Sequence, residues 1–133
     1  MSMDPFSEDW LNQFKERINT DSEMHVIGDW FTTAFSLSSD VRRCIVRFER
    51  GRMVDAVVAP RLDVRCAFGF RASSEIWERF FKRTPEPLYH DVFAMLMRVP
   101  GFVLEGDTLV AMQNARALHR VMNVMRTMQS EAE

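Results

Sequence analysis

Apolar residues change their spacing several times along this chain, and each change marks an element. From Ser7 to Asn19, Trp10, Phe14 and Ile18 recur on one helical face with Leu11 beside them. Ser7 is placed to cap that helix, and Glu8 and Asp9 favour its N-terminus. A polar stretch follows to about His25. Alternation then takes over. Trp30 to Leu37 predicts a strand with Phe31, Thr33, Phe35 and Leu37 on one face, ended by the turn residues Ser38, Ser39 and Asp40. Val41 to Glu49 places Cys44, Val46 and Phe48 on one side and Arg43, Ile45 and Arg47 on the other. Arg50-Gly51 makes a tight turn into a returning strand, Met53 to Val58, so these pieces form an antiparallel meander with one apolar face.

Pro60 interrupts. Val64 to Ala72 predicts a fourth strand with Val64, Cys66, Phe68 and Phe70 inward and Arg65, Ala67, Gly69 and Arg71 outward. At Ser73 the period becomes helical and the residues aromatic: Trp77, Phe80 and Phe81 lie on one helix running to about Arg83. Thr84-Pro85-Glu86-Pro87 ends it, and Pro87 suits the first turn of the next. That helix carries Tyr89, Val92, Phe93, Leu96 and Met97 and stops at Pro100-Gly101. Phe102 to Glu105 predicts a short strand. Gly106 turns, and Asp107 caps a final helix to about Met128, apolar over a broad arc that includes Leu118, Met122 and Met125. The predicted order is α-β-β-β-β-α-α-β-α. The expected class is α+β: one largely antiparallel sheet covered on one face by helices. A single domain is expected over residues 7–128, with flexible termini at 1–6 and 129–133.

Composition narrows the function. With 133 residues the chain can bury a core of its own. A net charge of -2 and a pI near 5.9 give no basic field for nucleic acid. No apolar run is long enough to span a bilayer, so no integral membrane association is expected. The first residues lack the basic and apolar regions of a secretory signal. Two cysteines without CxxC fit a cytoplasmic protein with reduced thiols. The chain holds 11 Phe and 10 Met against one Tyr, and such side chains bring bulk without a polar handle. The aromatic helix after Ser73 therefore either plugs a core or walls a hole for an apolar guest.

Candidate chemistry is sparse. His25, His90 and His119 are scattered, with no metal-ligand spacing, so neither a metal nor a cofactor is expected. Cys44 and Cys66 lie on inward strand faces without a paired base. No nucleotide or nucleophile-elbow motif is present. Asp55, in register with Met53 and Val57, is the one strand acid expected to point inward. It would be the base of a third possibility, a small isomerase on a cone-shaped fold. Arg43, Arg47, Arg65 and Arg71 could form a basic stripe on the outer sheet face, and Lys82 and Arg83 could meet a carboxylate or phosphate at a tunnel mouth.

Three segments carry a resemblance: the meander RRCIVRFERGRMVDAVV (Arg42 to Val58), the join VRCAFGFRASSEIWERFF (Val64 to Phe81) and the closing GFVLEGDTLVAMQNARALHRVM (Gly101 to Met122), in which Leu104-Glu105-Gly106-Asp107 returns a strand into an apolar helix. Together they resemble the sterol carrier protein 2 (SCP-2) family. The resemblance implies a five-stranded sheet and an apolar tunnel between sheet and helices for fatty acids, fatty acyl-CoAs, sterols or isoprenoid-like lipids, without catalysis. One wall is then expected from Phe31, Phe35, Phe68 and Phe70 on strands and Trp77, Phe80 and Phe81 on the aromatic helix. Phe93, Met97, Met112, Leu118, Met122 and Met125 would form the adaptable far wall. The alternative is an accessory subunit of a larger enzyme, its cavity filled by its own side chains; a homodimer is also open. The last four residues, Ser130-Glu131-Ala132-Glu133, do not match the Ser-Lys-Leu peroxisomal address found in many members.

Overall fold

A computed structural model describes residues 4–58 and 65–131. The helices are α1 (Glu8–Thr20), α2 (Ser22–Ile27), α3 (Ser74–Phe80), α4 (Val92–Arg98), α5 (Thr108–Gln113) and α6 (Ala115–Glu131). The strands are β1 (Thr33–Ser38), β2 (Arg43–Glu49), β3 (Arg52–Val58), β4 (Phe68–Arg71) and β5 (Val103–Gly106). They form one five-stranded sheet in the order β3-β2-β1-β4-β5. The predicted α+β class holds, and the pairing is mixed: β4 runs parallel to β1, whereas β1·β2, β2·β3 and β4·β5 are antiparallel. Pro60 and Val64 lie outside the described residues.

Side-chain alternation decides which face is covered. Phe35 and Leu37 on β1, Cys44, Val46 and Phe48 on β2, and Phe68 and Phe70 on β4 are all buried in one apolar cluster with the helices. The outer face carries exposed Arg43, Arg47 and Arg71. Arg47 lies 3.5 Å from Glu49 and Arg71 lies 3.4 Å from Glu105, so part of the expected basic stripe is charge-balanced on its own face.

The turn between β2 and β3 takes φ 51° at Arg50 and 81° at Gly51, the double left-handed geometry that suits the sheet twist. A Cβ on Gly51 would also come within 2.8 Å of the Gly28 backbone, so glycine is required there for space as well. One strand behaves unexpectedly. Phe48 pairs with Met53, but Arg47 pairs with Asp55 and Val46 with Ala56, so Val54 is an extra residue in a bulge. The bulge reverses the facing of everything after Met53. Asp55 is therefore exposed, opposite Arg47, and the inward acid expected from simple alternation is not there.

The helices differ from the predicted order in two places. The polar stretch after Asn19 folds as α2. Asp21 ends α1 and caps α2, accepting from the Met24 amide at 3.0 Å, and only Met24 in that helix is buried. The long final helix is two helices. At Asn114 the side-chain amide donates back to the Val110 carbonyl at 2.8 Å, and the axis restarts at Ala115. Pro87 falls in a turn rather than in the first turn of α4; Leu88, at φ 84°, keeps that segment out of the helix, and Asp91 caps α4 instead. The expected caps Ser7, Ser73 and Asp107 accept from the amides of Trp10, Ile76 and Val110.

Packing extends past the 7–128 limits read from the pattern. Phe6 is wholly buried, and α6 continues to Glu131 with Gln129 and Ser130 buried. Helix α1 buries Trp10, Leu11, Phe14 and Ile18, each worth about 1.5–3 kcal/mol for an aliphatic or phenyl side chain. Trp10 donates its indole N–H to Gln129 Oε1 at 2.7 Å, and Arg17 pairs with Glu131, joining α1 to α6. Arg120 pairs with Asp21 at 2.6 Å and Glu23 at 2.9 Å, joining α6 to α2.

Candidate functional site

Between sheet and helices the space is full of rings. Phe31 lies 5.0 Å from Phe48, Phe48 stacks on Phe35 at 5.7 Å, and Phe35 stacks on Phe68 at 5.3 Å with an interplanar angle of 4°. Phe70 continues the series to Phe102 at 6.0 Å, and Phe102 meets Trp77 edge-on at 5.5 Å. Ring pairs at these separations are favourable beyond their buried area. Of the expected lining, Phe31, Phe35, Phe68, Phe70, Trp77, Phe80, Phe81, Leu118, Met122 and Met125 are indeed buried. Phe93 is partly buried against the same cluster.

Met97 and Met112 do not belong to that wall. Their exposures are 84% and 51%. Helix α4 begins only after Asp91, and its seven residues bury Val92 and Met95, which turns Met97 outward. Helix α5 is a short piece that buries Ala111 alone, so Met112 faces out beside it.

Open space lies at the rim. A pocket of about 340 Å³ is bounded by Trp77 and Phe81 from the aromatic helix, Phe6 from the N-terminal segment, Arg42 and Ser39 from the turn between β1 and β2, and Gln129 from α6. That volume is at the small end of the usual range for ligand pockets, ~300–1,000 Å³. Trp77 is fixed by an indole hydrogen bond to the Ser38 carbonyl, 2.8 Å. Phe6 meets Trp10 and Trp77 edge-on, at 5.2 Å each. Ser39 Oγ accepts from the amides of Val41 and Arg42 and shapes the turn. Asp40 accepts from the amide and hydroxyl of Ser74, and the Ser74 hydroxyl, more than any other contact, holds the Asp40 carboxyl below its ordinary pKa. Asp4 lies 3.7 Å from Arg42. A second pocket, about 390 Å³, sits at the turn between β2 and β3 and is lined largely by charged side chains, among them Asp29, Glu49, Arg50 and Arg52.

Of these lining residues, Trp77 and Phe81 were expected from the sequence in the wall of an interior tunnel, and Phe6 and Arg42 were not among the expected lining. A signal for Phe6 was present: an apolar residue just before a Ser cap is the staple position of a helix start. Arg126 was missed as well. Its guanidinium lies 4.3 Å over the Phe80 ring and donates to the carbonyls of Phe80 and Tyr89. Burial holds its pKa below the ordinary value, and the carbonyls satisfy a cation that strings α6 to the turns after α3. Lys82 pairs with Glu86 at 3.5 Å rather than facing the rim pocket.

The remaining titratable groups offer little for catalysis. Burial pushes the Cys44 thiol up to about 12, so it stays protonated. His119 faces Asp91 at 3.9 Å with both side chains more than two-fifths exposed. Among the described residues no group of three or more His, Cys, Asp or Glu could hold a metal ion, and no helix is long and apolar enough to cross a membrane.

No protein-family model matches the sequence, and no curated protein does. Solved structures do match. A crystal structure of sterol carrier protein 2 superposes with a TM-score of 0.75 at 17% identity, covering 92% of this chain and 98% of the other. The fold is SCP-2-like. A conserved hypothetical protein of Thermus thermophilus, suggested to be a sterol carrier protein, gives 0.72 at 19% identity, with 96% and 92% covered. The UbiJ-SCP2 ubiquinone synthesis protein gives 0.53 at 8% identity, with 86% and 90% covered. The SCP-2-like topology puts the aromatic strands, the aromatic helix and the last helix around one interior, as the sequence resemblance implied.

Proposed function

We propose that this chain is a non-catalytic binding and carrier module for an apolar ligand of the fatty acid, fatty acyl-CoA or sterol- and isoprenoid-like class, working in the cytoplasm. The observation that carries the reading is the rim pocket. Trp77 and Phe81 line it, beside Phe6. Each ligand methylene buried there contributes about 0.8 kcal/mol, so a chain needs few polar contacts. The reading of carriage rather than catalysis is supported by the protonated Cys44 thiol and the outward Asp55.

A specific observation favours a second reading. The ring series from Phe31 to Trp77 fills the sheet–helix interior, as a packing block in a larger enzyme or a homodimer would have it. The likeness to the UbiJ-SCP2 ubiquinone synthesis protein is compatible with that reading. Native mass spectrometry of the protein as purified, followed by solvent extraction, separates the two. A lipid near one per chain supports carriage. An empty protein that also ignores a fluorescent fatty-acid probe overturns it in favour of the accessory subunit.

A further inference from the structure

The segment Asp4-Pro5-Phe6 has the form of an amphiphile lying along one wall of the rim pocket. Its apolar end, the Phe6 ring, is wholly buried in the slot between Trp10 and Trp77. Its anionic end, the Asp4 carboxylate, lies 3.7 Å from Arg42 at the mouth. Both residues line the same pocket, with Trp77 and Arg42 beside them.

Apart from the Phe6 ring, the hold of this segment is light. The Asp4 side chain is 76% exposed, and an ion pair that open to water is weak. Phe6 is kept at φ 66°, a left-handed conformation that a residue with a Cβ adopts at a cost. Among the described residues, the backbone is tied on locally by one hydrogen bond, from the Ser7 amide to the Asp4 carbonyl at 3.2 Å.

We propose that Asp4-Pro5-Phe6 is a built-in competitor for this site, and that the site takes a single-chain amphiphile with a carboxylate head. The carboxylate would take the place of Asp4 on Arg42, and the chain would take the place of Phe6 between the two indoles. Glu78 is the other acid on the wall, and exchanging one carboxylate for another leaves the local charge balance unchanged. Arg42 presents a planar fork suited to a carboxylate, which a neutral alcohol head cannot engage as a charged partner. The inference rests on the lipid-binding reading and adds the head-group class and the displacement.

The test is calorimetric titration of the full chain with laurate and with 1-dodecanol, below their critical concentrations. The proteins are wild type, Phe6→Ala, Asp4→Asn and Arg42→Gln. Removing the competitor in Phe6→Ala tightens both ligands about tenfold, as for a site otherwise nine-tenths occupied. Asp4→Asn, which loosens the competitor, tightens both ligands, laurate the more because Arg42 is also freed for its head. Arg42→Gln weakens laurate relative to dodecanol by about two- to fivefold, the reach of a partly exposed ion pair. Asp4 and Arg42 are surface residues, so these two variants remain informative if Phe6→Ala does not fold. In wild type, laurate also releases the Ser7 amide to faster hydrogen exchange. Binding of both ligands with equal affinity in all four proteins overturns this inference and leaves the lipid-binding reading standing. Absence of binding by either ligand in every folded variant overturns both.

Discussion

Two aromatic regions of this protein use the same residue types and differ in closure. On the sheet, Phe35, Phe48, Phe68 and Phe70 alternate along three neighbouring strands, and the ladder fixes each ring against the next. At the rim, Phe6, Trp10, Trp77 and Phe81 come from three separate segments, with no strand pairing to set their spacing. The first set is sealed. The second is equally buried residue by residue, but Phe6, Trp77 and Phe81 border a pocket of about 340 Å³. Burial of a side chain is therefore a poor guide to whether it lines a site. What distinguishes the rim is that one of its rings, Phe6, is carried by the segment that precedes α1 rather than by a helix or strand.

The sharpest way to break the comparison is to cut one ring from each region. Phe35→Ala removes a wholly buried ring that touches four others, and should destabilise by about 3–5 kcal/mol in urea unfolding. Met122→Trp overfills the same interior and should destabilise by about 1–3 kcal/mol. If Met122→Trp instead keeps full stability while changing lipid affinity, the interior holds space and the contrast fails. Phe6→Ala should destabilise by less than Phe35→Ala, about 1–2 kcal/mol, because the vacated slot opens to an existing pocket and can be hydrated.

Acid should also loosen the join between Asp40 and Ser74 beside the rim. The Asp40 carboxyl is held below its ordinary value by Ser74, so its contribution is complete above the unfolded pKa of 3.8 and is lost as pH falls from there through the folded value. The protection factor of the Ser74 amide should drop below pH 3.8 in wild type. In Asp40→Asn it should show no such step. The smallest effect concerns thiols. With its thiol pushed up to about 12 and fully buried, Cys44 should resist iodoacetamide at about pH 8 while the half-buried Cys66 reacts; labelling of both at equal rates would show that the centre of the sheet opens as readily as the segment leading into β4.

Much of this architecture was legible because local chemistry and tertiary packing agree. The alternation of Cys44, Val46 and Phe48 gave β2 its buried face, and Ser7, Ser73 and Asp107 announced three helix starts. The failures have physical causes. Helix α2 buries one residue, Met24, so it has no apolar period to read. The bulge at Val54 reverses the facing of Asp55, and nothing in an alternating pattern signals an inserted residue. The break at Asn114 depends on one side-chain amide turning back on its own helix. The parallel placement of β4 beside β1 is a matter of topology, invisible to spacing. For the site, hydrophobicity identified Trp77 and Phe81 but also admitted Met97 and Met112, because a stripe on a seven- or six-residue helix is too short to define a face.

The contact of Asn19 with strand β3 has a consequence for solubility. At the end of α1, its side-chain amide donates to the Met53 carbonyl at 3.1 Å and accepts from the Met53 amide at 2.9 Å, as a neighbouring strand would. Strand β3 is an outer strand of the sheet, where free backbone groups invite a foreign chain to add on. A single asparagine thus stands as a false neighbour at that border, closing the start of the strand to self-templated growth.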